Sequence, residues 1–243
     1  MRRRLPPFSA AALLLAGVAG AVRAQEPVDI TRFFRGSSES KSLTNADIVA
    51  GLKEALEVGT TNAVDLTGQV DGYFGNAAIK ILLPSQFQTV EQGLRLLGQG
   101  ESVDELVLAM NRAAEKAAPA AKGIFWEAIE DLTFENARRI LSGGETAATD
   151  YFREKTSAAL TTAFRPVVDE SMKEVGVVRQ YKQLVGAYQS IPLASALPSF
   201  DIESYVVTKA LDGLFEVLGE QERRIRTDPA AQVTSLLKKV FSR

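Results

Sequence analysis

Apolar residues along most of this chain recur every three to four positions, the period of a helix with one buried face. From Thr44 or Asn45, either of which can cap a helix, Ile48, Leu52, Ala55 and Leu56 share a face to about Leu66. A second helix is expected from Ser85 to Leu97, ended by Gly98. Ser102-Val-Asp-Glu105 has the spacing of a capping box, and Val103, Leu106, Val107, Met110, Ala114 and Ala117 follow at helical intervals until Pro119 closes the run. Further helices are expected over Ala120–Leu132, from Thr133 to Gly143-Gly144, and from Ala147, with Pro166 a kink or break in the last. Val177–Gln189, the longest helix beginning at Asp201, and a terminal helix from Asp228-Pro229 to Phe241 complete the set.

Two stretches break the period. Gly68 to Pro84 holds two glycines around Tyr73-Phe74, then Ile79-Lys-Ile-Leu-Leu-Pro84, and is expected to be irregular or extended. Ile191-Pro192 to Pro198-Ser199 is also irregular. About ten helices with no alternating strand pattern predict an all-α fold in a single multi-helix globular domain over residues 44–243.

The first residues belong to another pattern. Arg2-Arg-Arg4 precede an uncharged apolar stretch from Phe8 to Val22, and Val22-Arg23-Ala24 suits a signal peptidase, so residues 1–24 are expected to be a cleaved signal peptide. A stretch of about 15 residues is shorter than the roughly 20 a bilayer-spanning helix needs. The adjacent arginines hint at the twin-arginine route, but Leu5-Pro6-Pro7 continues that signal poorly and favours ordinary secretion. Residues 25–43, with their Gly-Ser-rich run at 36–42, are expected to be a flexible linker. These features predict a soluble periplasmic protein, not an integral membrane protein once the signal is removed.

Composition then narrows the chemistry. The 28 Lys+Arg against 30 Asp+Glu become 24 against 30 once Arg2, Arg3, Arg4 and Arg23 leave with the signal, a balance of −6 that argues against nucleic acid as a partner. The chain has no cysteine and no histidine. That removes Ser-His-Asp and Cys-His catalysis, zinc sites built on Cys or His, haem held by His, and iron–sulfur clusters. Any catalysis falls to carboxylates, Lys, Tyr, Arg or an activated hydroxyl; no cofactor and no metal site is predicted.

Several segments carry a family likeness: Gly51-Leu-Lys-Glu-Ala-Leu56, Asp71-Gly-Tyr-Phe74 with Ile79-Lys-Ile81 and Pro84, and Met110-Asn-Arg-Ala-Ala-Glu-Lys116. Tyr151-Phe-Arg-Glu-Lys-Thr156, Lys209-Ala-Leu-Asp-Gly-Leu-Phe215, Asp228-Pro-Ala-Ala231 and Leu236-Leu-Lys-Lys-Val-Phe241 follow in order. On these the chain resembles a family of exported bacterial proteins, domain of unknown function 4197 (DUF4197), from about residue 42 to the C-terminus. Some members begin with a lipoprotein signal, which needs a cysteine this chain lacks. The resemblance implies nothing about activity.

The candidate ligand-binding residues are Asp71, Asn76, Lys80, Asn111, Arg112, Glu115, Tyr151, Lys155, Tyr205, Lys209 and Asp212; no catalytic residue is assigned. Asn111, Arg112, Glu115 and Lys116 are read opposite the Val103/Leu106/Met110 stripe as a solvated face with an Arg112–Glu115 ion pair, the alternative being an anion- or carboxylate-binding cluster. Tyr-x-x-x-Lys occurs at Tyr151/Lys155 and Tyr205/Lys209, one helical turn apart as in short-chain dehydrogenases, but those enzymes need a Gly-rich nucleotide-binding turn that is missing here. Both pairs flank an apolar stripe and read as amphipathic side chains with wet tips, or as ligand-lining. Asp65, Thr67, Gln69, Asp71 and Asn76 invite a calcium site, but their spacing is not an EF-hand's and a polar turn accounts for them. Ser38-x-x-Lys41 matches a penicillin-interacting motif only formally, lying in the linker without its partner motif. Arg223, Arg224, Arg226, Lys238, Lys239 and Arg243 give the C-terminal helices a basic bias that suits helix ends or an acidic envelope partner.

Two functions are compatible with this. The favoured one is a non-catalytic periplasmic binding or interaction protein whose partner is an unknown protein or small-molecule envelope ligand. The alternative is a cell-envelope hydrolase or lyase working through carboxylate, Lys and Tyr chemistry. It requires several of Glu115, Tyr151, Lys155, Lys209 and Asp212 to converge.

Overall fold

In the computed structural model, the residues described are 44–174, 186, 200–228 and 230–232. The expected signal peptide, linker, helix over 177–189 apart from Gly186, irregular stretch 191–199, Lys238, Lys239, Arg243 and the terminal helix beyond residue 232 lie outside them; the described start of that terminal helix, residues 230–232, is a turn on Asp228 and not helical. Seven α-helices appear among the described residues: α1 (Asn45–Gly68), α2 (Gln88–Leu96), α3 (Gly100–Ala117), α4 (Ala121–Glu130), α5 (Phe134–Ser142), α6 (Ala147–Glu174) and α7 (Ile202–Thr227). Short 3-10 turns, Ser85–Phe87 and Ala118–Ala120, lead into α2 and α4. The all-α fold is as the periodicity predicts, with fewer helices than about ten and no strand among the described residues. No described helix is long and apolar enough to cross a membrane.

Local chemistry sets most helix ends. Thr44 caps α1 through a reciprocal bond with Asp47, its hydroxyl accepting from the Asp47 N–H at 3.1 Å while the Asp47 carboxylate accepts from the Thr44 N–H at 3.0 Å. Thr133 and Asp201 cap α5 and α7 in the same sense, accepting from the N–H groups of Asn136 and Ser204. Gly98 follows α2 with φ of +78°, a conformation other residues adopt only at a cost.

Three expectations change. The capping box at Ser102–Glu105 does not form, because the Gly98 turn delivers the chain into helix two residues earlier, at Gly100. Arg95 then fastens α2 to α3, reaching Glu91 at 2.9 Å and Asp104 at 2.6 Å. Pro166 does not end α6, which runs through it to Glu174: it lies on an exposed face, where water can take the carbonyl bond its missing N–H forfeits, while Phe164 and Val168 on the buried face hold the helix together. This makes α6, with 28 residues, longer than α7 with 26.

The core forms where α7 packs along α1 and α6, with α3 and α4 completing the enclosure. Gly51, Ala55, Gly59 and Ala63 repeat every four residues on the buried side of α1, and a methyl added at Gly59 would lie 3.5 Å from Ile225 of α7. Small residues there let the two helices approach closely. On α6, Phe152, Leu160, Phe164, Val168 and Met172 are buried, and Phe125 of α4 meets Phe152 edge-on at 5.2 Å and Phe215 of α7 at 6.2 Å. The first turn of α6 is satisfied from a distance: Glu222 of α7 accepts from the N–H groups of Ala148 and Thr149 at 2.9 and 2.8 Å, and Arg226 holds the same carboxylate at 2.7 Å.

Candidate functional site

The irregular stretch between α1 and α2, residues 69–84, is a loop lodged between α3 and α7. Its backbone pairs with itself only through short turns, with Gly72, Gly75, Asn76, Ile79 and Lys80 donating to carbonyls three or four residues back, so other elements must supply partners for the buried groups left over. Glu115 of α3 does so first. Its Oε1 accepts from the N–H groups of both Tyr73 and Phe74 at 3.1 Å, and its Oε2 accepts from Arg112 at 2.6 Å. Arg112 extends to Asp71 at 2.7 Å, fixing a residue held at φ 66°, a left-handed conformation that Asp tolerates better than most. Between them, Glu115 and Asp71 hold the Arg112 guanidinium more firmly protonated than usual, Glu115 contributing most.

Asn111 secures the other end of the loop. Its Oδ1 accepts from the Ile81 N–H at 2.8 Å, and its Nδ2 donates to the Ile81 carbonyl at 2.8 Å and to the Val107 carbonyl at 2.7 Å. The amide thereby offers one residue the two-bond exchange that a neighbouring strand would provide. Asn111 is 0% exposed and Glu115 4%. The expected solvated face of α3 is therefore wrong for these two residues, because α3 buries that side against the loop; the predicted Arg112–Glu115 pair is present, and Lys116 is exposed.

From the opposite side α7 receives Tyr73, which is fully buried and donates its hydroxyl to the Ala210 carbonyl at 2.6 Å. Burial pushes this phenol well above its ordinary range, so it stays a neutral donor. The ring fits because position 213 has no side chain: a methyl there would sit 2.6 Å from Tyr73 Cε1 and 3.0 Å from Ile79 Cβ.

Where loop and helix part again they leave an open groove of about 390 Å3, lined by residues 78–82 on one wall and Tyr205, Lys209, Asp212, Gly213 and Glu216 on the other. Tyr205 spans its edge, donating to the Leu82 carbonyl at 2.8 Å, and burial raises its phenol pKa. Lys209 and Arg153 of α6 each stand 3.5 Å from Asp212, and Arg153 lies 4.5 Å over the Phe215 ring. Lys80 is half-buried with its ammonium 3.8 Å over the Phe74 ring.

The predicted residues thus divide. Lys80, Tyr205, Lys209 and Asp212 come together at the groove. Asp71, Asn111, Arg112 and Glu115 hold the loop that forms its wall, and Asn76 shapes the turn before Lys80, accepting from the Ala78 N–H at 3.0 Å and, through its carbonyl, from the Lys80 N–H at 2.8 Å. Tyr151 and Lys155 lie elsewhere. Tyr151 is buried and donates to the Ala128 carbonyl at 3.3 Å, its phenol raised by burial and then by Asp131, while Lys155 pairs with Glu154 at 3.5 Å. Of the other oxygen-bearing residues in the stretch read as a polar turn, Thr67 donates its hydroxyl back to the Ala63 carbonyl at 2.7 Å, and no group of three or more acidic side chains that could hold a metal occurs among the described residues. In the basic C-terminal region, Arg226 is engaged with Glu222 and the Ile140 carbonyl and Arg223 with Glu216.

Sequence reasoning missed Tyr73, Gly213 and Glu216. Gly213 had a signal: a glycine within a helix costs about 1 kcal/mol relative to alanine, so an unexplained one marks a close approach. A second cavity, about 20 Å3, sits among Leu52, Leu56, Gly59, Phe152, Leu218 and Ile225 and is too small for anything beyond about one water.

No curated protein and no solved structure matches the chain. A family described as "Protein of unknown function (DUF4197)" matches it over residues 42–242, which takes in α1 to α7, the loop and both walls of the groove. The chain belongs to the DUF4197 family.

Proposed function

We propose that this chain is an exported, non-catalytic binding protein that acts in the periplasm and takes a small polar ligand from the cell envelope in the groove between residues 78–82 and α7. The observation carrying this reading is the convergence of Lys80, Tyr205, Lys209 and Asp212 on one cavity of about 390 Å3, within the roughly 300–1,000 Å3 typical of small-molecule sites. The hydrolase or lyase alternative loses its main support, because the five residues it draws on are not gathered. Glu115 spends both oxygens on the loop and Arg112, Tyr151 bonds to Ala128, and Lys155 pairs with Glu154, leaving only Lys209 and Asp212 together.

The test is native mass spectrometry of the protein isolated from the envelope fraction of expressing cells, beside a Lys209→Ala/Asp212→Ala variant. A small-molecule adduct present on the parent and lost from the variant is expected. An unliganded parent, or an adduct retained by the variant, overturns the reading. The same spectra give the N-terminus: a chain beginning at Gln25 is expected, and one that keeps residues 1–24 refutes export by cleavage.

A further inference from the structure

Two lysines and two carboxylates line the groove, but they are not paired with one another evenly. Glu216 pairs loosely with Arg223, at 3.6 Å, which stands outside the lining. Asp212 is shared by two cations, Lys209 and Arg153, each at 3.5 Å, a distance at which an exposed pair is held loosely. Lys80 has no carboxylate within ion-pair distance among the described residues. Asp104, whose carboxyl feels the Lys80 charge, is already clamped by Arg95 at 2.6 Å. Across the Phe74 ring, Arg112 is 5.8 Å from the centroid and neutralised by Asp71 and Glu115. Of the charges lining the groove, Lys80 is therefore the one with no opposite partner among the described residues, and Lys209 shares Asp212 with Arg153, which approaches from outside the lining.

The ring under Lys80 explains how such a cation is held in place. A quadrupole positions an ammonium over its face without removing its charge, whereas a carboxylate would fix it and neutralise it together. The Lys80 N–H bond to the Asn76 carbonyl and the Asn111 grip on Ile81 set the backbone on either side, so the ammonium is presented from a fixed wall rather than from a mobile surface chain. On the facing wall, Lys209 stands one helical turn from Tyr205.

From this geometry, and resting on the binding reading above, we propose that the ligand enters as an anion, a carboxylate or phosphate group held between Lys80 and Lys209. Two lysines without a fixed fork recognise charge more than shape, so the two anion classes share one site.

Isothermal titration of the folded protein with succinate and with glycerol phosphate separates the two sources, with glucose and putrescine as neutral and cationic probes. At least one anionic probe is expected to bind, its affinity falling with added salt and dropping about tenfold or more in each of Lys80→Gln and Lys209→Gln. Lys155→Gln, a charge loss outside the groove, is expected to leave it unchanged, and Lys80→Arg to restore it. Thermal melts of each variant confirm folding. Anion binding indifferent to both glutamine variants overturns the proposal. Binding of glucose or putrescine in place of the anions overturns it too but leaves the binding reading intact, and absence of any binding alongside an adduct-free native spectrum overturns both.

Discussion

Replacing Glu115 by alanine tests whether one buried carboxylate holds the wall of the groove. The side chain is 4% exposed and accepts from the Tyr73 and Phe74 N–H groups, both at 3.1 Å. Alanine leaves two donors without a partner, Tyr73 N–H buried and Phe74 N–H part-buried, at about 1–3 kcal/mol each. The ion pair with Arg112 adds about 1 kcal/mol or less, because Arg112 is partly exposed and keeps Asp71 at 2.7 Å. The expected loss is therefore about 3–5 kcal/mol, a large part of the roughly 5–15 kcal/mol that stabilises a typical domain. Urea unfolding followed by circular dichroism reads it as a lower midpoint with an unchanged slope. Glu115→Gln keeps a carbonyl oxygen for both N–H groups and sets its amide donors against Arg112, so about 1–2 kcal/mol is expected. A Glu115→Ala loss below about 1 kcal/mol, or a glutamine variant as costly as alanine, refutes the assignment of the energy to the two backbone bonds.

Two further substitutions probe the same frame. Gly213→Ala places a methyl 2.6 Å from Tyr73 Cε1, and overpacking of about 1–3 kcal/mol is expected to exceed the gain of about 1 kcal/mol from helix propensity. A thermal melt should show a lower midpoint, and a higher one contradicts the close approach. Asp201→Ala removes the cap of α7 and is expected to cost about 1 kcal/mol near neutral pH. The hydroxyl and N–H of Ser204 hold the Asp201 carboxyl below its ordinary pKa, so its contribution is present above about pH 4 and lost as pH falls through the lowered value. The stability gap between parent and variant should close in acid, and a gap that persists at about pH 2 counts against the capping role.

Helix ends were readable because they depend on neighbours in sequence: Thr44, Thr133 and Asp201 each bond to an N–H three residues on. The inward turn of Asn111 and Glu115 was not. A helical period tells which residues share a face, but not whether an irregular segment covers that face, and residues 69–84 have no period of their own to announce that they do. The two Tyr-x-x-x-Lys pairs make the same point. Their spacing is identical, yet Tyr205 bonds to Leu82, 123 residues away, and lines the groove beside α7, while Tyr151 bonds to Ala128, 23 residues away, and is not among that groove's lining residues. Pro166 does not break α6 because a proline's local cost is reduced by an exposed face with well-packed flanks.

The bond from Tyr73 to Ala210 joins residues 137 apart, and this separation bears on the order in which the protein is made. Closing so long a loop costs about 4 kcal/mol of chain entropy by the logarithmic rule, before any contact compensates it. Asn111 and Glu115 can grip the loop as soon as α3 exists, but its second wall arrives only when residues 202–216 have folded onto α1 and α6. Pulse-labelled hydrogen exchange should therefore show the N–H groups of Tyr73 and Phe74 protected no later than the interior of α7. A chain ended before Ala210 would have the loop and its lysine without the helix that turns them into a groove.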